Sequence, residues 1–311
     1  MWPQAAVFGS DSGAMLGAGQ MAKDSKQPWQ VWLDRRGRIS WLRVVTLIVL
    51  LLPAAKALIE ANAIAYSARP LNELIHRAGF WALMFLGLAL AITPLRRILR
   101  YGPLIDVRRM IGVASFIYIA AHLTLFFADQ SYSVIKFFTE ITKRIYLIIG
   151  AFAWIGLAVL AATSTDAMVR RLGGMRWRRL HQLIYVISLL ALIHYFQQTK
   201  ADISVPTFTA AIFAWLMAYR VLGWWQGKAE LSTRALLAMT IAVAAGTLIG
   251  EVLGIALVFN APISRILPQI WDFEAGFRPG WQVLGAGLIV AAVDFIRART
   301  AKPSRAAPQA A

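Results

Sequence analysis

The chain has no cysteine among its 311 residues. That absence removes disulfides, iron–sulfur clusters, thiolate zinc sites and cysteine nucleophiles together. Histidine is nearly as scarce, with His76, His122, His181 and His194 the complete set. A metal or metal-centred cofactor must therefore be held by these, or by Met, Tyr or carboxylate. Charge is sparse too, at 15% of residues, where ordinary soluble domains carry about a quarter. What fills the chain instead is apolar, 59% of it. That exceeds what a soluble fold of this length buries, and the excess must face lipid.

A glycine-rich dinucleotide fingerprint following a strand is also missing, and no soluble segment has room for a nicotinamide domain. The net charge of +17 does not point to nucleic acid, because nearly all Lys and Arg sit in short clusters between apolar runs. That is the pattern of loops that resist translocation. No nucleic-acid partner is expected; the expected surroundings are membrane lipid.

Apolar runs of spanning length occur at about 42–62, 79–96, 110–128, 145–163, 180–197, 207–225, 235–259 and 281–297. A spanning helix needs roughly 17–25 residues, and lipid offers the backbone no water, so helices rather than open strands must form. The expected fold is all-α, a polytopic transmembrane helix bundle of about eight spanning helices. Connections rich in Arg (Arg35, Arg36, Arg38 and Arg43; Arg96, Arg97, Arg100, Arg108 and Arg109; Arg170, Arg171, Arg176, Arg178 and Arg179) alternate with poorer ones. The bias places both termini in the cytoplasm. Residues 1–40 are polar and Gly-rich and lack the charged and apolar regions of a cleaved signal. They read as a disordered cytoplasmic arm, and 300–311 as a cytoplasmic tail.

Depth follows from counting. His122 lies thirteen residues after Arg109 and His194 fifteen after Arg179, which puts both about 20 Å above the same membrane edge at 1.5 Å per residue. Two imidazoles on different helices thus share one level. A bis-His haem needs this arrangement; a proton relay or a hydrogen-bonded interhelical contact uses it as well. His181 stands near the opposite edge, either at a second cofactor or capping the basic loop. His76 reads as an interfacial loop residue about 10 Å outside the His122 level, a reserve ligand. Gly246, Gly250 and Gly254 recur at four-residue spacing as a close-packing face. Glu251 beside them is either paired to a polar neighbour or a proton or quinol site.

The stretches RRMIGVASFIYIAAHLTLFF, ITKRIYLIIGAFAWIGLAVLAATSTDAMVRRLGGMRWRRLHQLIYVISLLALIHYF and LAITPLRR resemble the MsrQ (YedZ) family, with a domain similar to that of ferric reductases. The resemblance covers about 41–226 and implies a ferric-reductase-like six-helix core, leaving 227–299 as two additional transmembrane helices. It further implies haem b, one and conceivably two, with His122 and His194 as axial ligands of the iron. FMN is implied as well. His181 matches the family's third histidine, of the second haem or the flavin region, and Arg176, Trp177, Arg178 and Arg179 are candidate flavin-phosphate contacts. Electrons would enter from a cytoplasmic flavin reductase or quinol and leave to a periplasmic molybdopterin-containing methionine-sulfoxide reductase. On this reading the chain is an electron-transfer component without a substrate site of its own. A proton-coupled transporter using intramembrane His and Glu is the competing class, and a membrane scaffold the third.

Overall fold

The computed structural model describes residues 31–34, 36–199, 202–274 and 276–300. Most of the expected cytoplasmic arm, the tail from 301, and Arg35, Lys200, Lys302 and Arg305 lie outside the described residues. The chain divides into two compact units, one through Ile48 and one from Val49 onward.

In the first unit, the Asp34 carboxylate accepts from the backbone N–H of Arg36 at 2.7 Å and of Arg38 at 3.0 Å. The Arg38 N–H above all holds this carboxyl below its ordinary range. Gly37, at φ +73°, closes the turn, and Leu33 pairs with Ile39 across it. The Arg43 guanidinium donates to the Leu33 carbonyl at 2.6 Å, just inside α1 (Trp41–Ile59).

The rest of α1 carries Pro53 in its interior. Proline pushes the preceding turn open. There the Tyr118 hydroxyl bridges the gap, donating to the Leu50 carbonyl at 2.8 Å and accepting from the Ala54 N–H at 3.2 Å. These are the i and i+4 groups of the turn around Pro53, and in lipid neither can be left unpaired. A short α2 (Ala61–Ala65) leads to α3 (Pro70–Ile98), a 3-10 turn, and α4 (Ile105–Asp129). Next come α5 (Val134–Lys143), α6 (Ile145–Ala162), α7 (Asp166–Leu172), α8 (Gly174–His181) and α9 (Ile184–Gln198). The remaining spans are α10 (Ser204–Trp225), α11 (Thr233–Phe259) and α13 (Pro279–Thr300), with α12 (Ile263–Ile266) in the last connection. Among the described residues, eight helical stretches are long and apolar enough to cross a membrane, α8 and α9 together forming one of them.

Three expectations shift. α3 begins at Pro70, nine residues before the apolar run, because its first turns are polar. The third connection holds an amphipathic helix, α5, between the spans. The fifth span, expected as one run over 180–197, is interrupted at Gln182 and Leu183.

Three hairpins dominate the packing; in two of them α3 lies along α4 and α6 along α9, with far thinner contact between those two pairs. The C-terminal hairpin of α11 and α13 packs on α10. Its crossing is tight at Gly280 and Gly287, where an added Cβ would stand 2.4 Å from Leu248 Cγ and 2.2 Å from Thr240 Cγ2. Thr240 is fully buried and accepts the Trp215 indole N–H at 3.0 Å, tying the hairpin to α10. Gly246, Gly250 and Gly254, by contrast, face open space within the chain, with nothing inside 4 Å of the point where a methyl would stand. The expected glycine face is not the one that makes this crossing.

Candidate functional site

Between the α3–α4 and α6–α9 hairpins lies a cavity of about 810 Å³, walled almost wholly by apolar side chains. That size and character suit a flat organic cofactor. His122 from α4 and His194 from α9 both line it. Their ring centroids are 6.3 Å apart and their planes nearly perpendicular, at 88°. An imidazole nitrogen binds a first-row metal at about 2.0–2.1 Å, so two rings on one ion have centroids roughly 6.3 Å apart. The spacing therefore accepts a single metal between them.

The tautomers follow from the outer contacts. His122 Nδ1–H donates to the Ile75 carbonyl at 2.7 Å, and His194 Nδ1–H to the Tyr146 carbonyl at 2.7 Å. A carbonyl only accepts, so Nδ1 carries the hydrogen in both rings and the lone pair falls on Nε2. This is the support that metal-binding imidazoles ordinarily have. Each ring lies against a bare stretch of the neighbouring helix: a Cβ at Gly79 would meet His122 Nδ1 at 2.9 Å, and one at Gly150 would meet His194 Nδ1 at 2.8 Å. Sequence reasoning did not single out Gly79 or Gly150. The available signal was their near-equal spacing ahead of the two histidines.

His76 is not in a loop. It sits on α3 and lines the same cavity, one residue after the carbonyl that anchors His122, so it is not displaced outward by the expected 10 Å. Arg77 beside it bonds the Glu60 and Glu73 carboxylates at 2.5 Å each. The Arg77 guanidinium in turn holds Glu60, between α1 and α2, below the ordinary glutamate range.

His181 is elsewhere. It stacks on Trp177 with centroids 4.0 Å apart, and its Nε2 is 3.2 Å from Thr163 Oγ1. The Trp177 indole N–H donates to the Thr163 carbonyl at 2.9 Å. The TSTDAM stretch thus joins the end of α6 to α8. Thr165 caps α7, and Asp166 accepts from Arg109 at 2.6 Å. Arg176, Arg178 and Arg179 are exposed on α8, so Trp177 belongs to the helix junction rather than to their solvent face. Glu251, 5% exposed, pairs with Arg278 at 3.3 Å, which is the paired alternative expected of it.

The hairpins, the apolar slot and the facing imidazoles define a ferric-reductase-like transmembrane protein, and the family described as the ferric reductase like transmembrane component matches residues 78–192. The chain is 35% identical over 196 residues to the protein-methionine-sulfoxide reductase heme-binding subunit MsrQ of Herminiimonas arsenicoxydans, covering 62% of this chain and 90% of that protein. It is 44% identical over 158 residues to the MsrQ of Xanthomonas campestris pv. campestris strain B100, covering 50% and 72%. To the MsrQ of Ralstonia nicotianae it is 35% identical over 192 residues, covering 61% and 88%. The chain belongs to the MsrQ family. No solved structure matches it.

Proposed function

We propose that this multi-pass membrane protein is the electron-transfer subunit of a methionine-sulfoxide reductase system, with haem b held between His122 and His194. The observation that carries the reading is the imidazole pair: 6.3 Å between centroids, each Nδ1 bonded to a backbone carbonyl, in an apolar cavity. The relatives named as heme-binding subunits support the same assignment. Bound there, haem supplies a one-electron couple whose potential is set by its ligands and burial. The chain's own part is to orient two neutral imidazoles, exclude water and keep the couple within lipid depth.

The Arg-rich connections support an orientation with the His181 end and both termini at the cytoplasm, and the bacterial relatives support a location in the inner membrane. Electrons enter at that end from a cytoplasmic flavin reductase or a quinol. FMN bound near His181, with Arg176, Arg178 and Arg179 as phosphate partners, is the proposed intermediate carrier. They leave from the His122 and His194 end to a periplasmic molybdopterin-containing methionine-sulfoxide reductase. The core occupies 41–226, and the hairpin within 227–299 is an addition to it.

A dithionite-reduced minus oxidised spectrum of the detergent-purified protein, with pyridine haemochrome quantification, tests the reading. Sharp b-type bands should be present in the native chain and lost in His122→Ala and in His194→Ala. A colourless protein after expression with ample haem, or full haem retention in both variants, would refute it.

A further inference from the structure

The geometry points to Gly79 and Gly150 as positioning residues for the two axial histidines, acting through the shape of the helix backbone that each imidazole rests on. This deepens the haem reading above and rests on it.

In an α-helix the carbonyl of residue i lies beside residue i+4, whose N–H it accepts. The Cβ of residue i+4 leans back towards the N-terminus, over that carbonyl. An ordinary side chain at i+4 therefore shields the carbonyl from a group approaching from the side. Ile75 and Gly79 stand in this relation on α3, and so do Tyr146 and Gly150 on α6. Without a Cβ at either glycine, the second lone pair of the carbonyl stays open, and it is the one the imidazole takes. The ring then lies so close that a methyl would sit 2.9 Å from Nδ1 and 3.1 Å from Cε1 of His122, or 2.8 Å and 2.9 Å from the same atoms of His194. Neither ring can yield by sliding along its helix without losing its 2.7 Å bond to the carbonyl.

The same device occurs in both hairpins at the same place. The His122–Ile75 bond spans 47 residues and the His194–Tyr146 bond 48. Each glycine fixes the plane of its ring, and together they hold the planes nearly perpendicular, at 88°. Perpendicular axial imidazoles give a low-spin ferric haem with a strongly anisotropic paramagnetic resonance signal, distinct from the rhombic signal of parallel rings. The glycines therefore set an electronic property of the haem as well as its retention.

The test uses the full-length, haem-loaded protein in detergent. Gly79→Ala and Gly150→Ala should each weaken haem retention by about 10–100-fold, the usual penalty for disturbing a metal ligand's outer partner. The haem that remains should show a shifted midpoint potential and a changed or partly high-spin resonance signal. Gly112→Ala, where nothing lies within 4 Å, should match the native protein. Should an alanine variant accumulate poorly, the same substitution is made in the His122→Ala or His194→Ala background, where no ring is present to collide with. Recovered yield there supports the inference, and an equal loss overturns it by making the glycine a helix-packing residue. Native signal, potential and retention in both alanine variants would also overturn it. A native protein without haem would instead sink the function proposed above and leave nothing for the glycines to position.

Discussion

Breaking the Glu251–Arg278 pair from its two sides should give unequal losses. Glu251 is 5% exposed and Arg278 28%, with one contact between them at 3.3 Å. The other carboxylate oxygen, Oε2, is buried without a partner. Arg278 has a second acceptor, Gln269 Oε1, at 3.3 Å. Arg278→Met therefore strands a buried carboxylate whose two oxygens then both lack donors. Removing one member of a buried pair costs about 3–5 kcal/mol. Glu251→Gln leaves a guanidinium that is partly hydrated and still bonded, and should cost about 1 kcal/mol, the worth of an ordinary hydrogen bond. At roughly 2 °C of melting temperature per kcal/mol for a chain of this size, the two variants should separate clearly in a thermal melt of detergent-solubilised protein. The double variant should be less damaged than Arg278→Met alone, since the stranded charge is gone. Equal losses, or a larger loss for Glu251→Gln, would show that the pair is hydrated and does not anchor the C-terminal hairpin.

Gly287→Leu should destabilise the α11–α13 crossing by about 1–3 kcal/mol through overpacking, because even a Cβ meets Thr240 at 2.2 Å; Gly246→Leu, with open space around it, should leave the melting temperature nearly unchanged. His181→Ala should preserve the low-spin spectrum and slow reduction from the His181 side in stopped-flow measurements; unchanged rates would make His181 a structural partner of Trp177 alone. Acidification should weaken the Glu60–Arg77 contact. Since Arg77 depresses the Glu60 carboxyl, its contribution is present above the unfolded glutamate value of about 4.3 and is lost as pH falls through the lower folded value. Glu60→Gln should flatten that acid limb in melts run at several pH values, and an unaltered limb would assign it to other carboxylates.

The spans and the shared level of His122 and His194 were legible because both rest on quantities that sequence carries directly: the length of apolar runs and the residue count from flanking arginines. His76 was not, because the first turns of α3, LNELIHR, are polar and read as loop. Arg77 there bonds Glu73 and Glu60, and His76 and Arg77 line the cavity. Helix α5 was hidden for a related reason, being too short and too charged to register as a span. The glycine pattern at 246, 250 and 254 showed a face capable of close approach, while the close approach is made by Gly280 and Gly287 on the partner helix. Small residues permit contact; which of several permitted contacts forms depends on three-dimensional fit. Gly79 and Gly150 were missed for the converse reason: a lone glycine in an apolar helix has no periodicity to announce it, and only the near-equal spacing ahead of the two histidines carried a signal.

The matched depth of the two histidines has a structural cause beyond coincidence of counting. The α3–α4 and α6–α9 hairpins each hang a histidine from their second helix onto a carbonyl and glycine of their first. Near-equal separations, 47 and 48 residues from carbonyl to histidine, bring the two rings to face each other in one cavity. Thirteen residues before His194 stands His181, but thirteen before His122 stands Arg109, committed to Asp166. At that end the correspondence fails, so the facing-imidazole arrangement is not repeated beside His181, and the FMN proposed there would need a different set of partners.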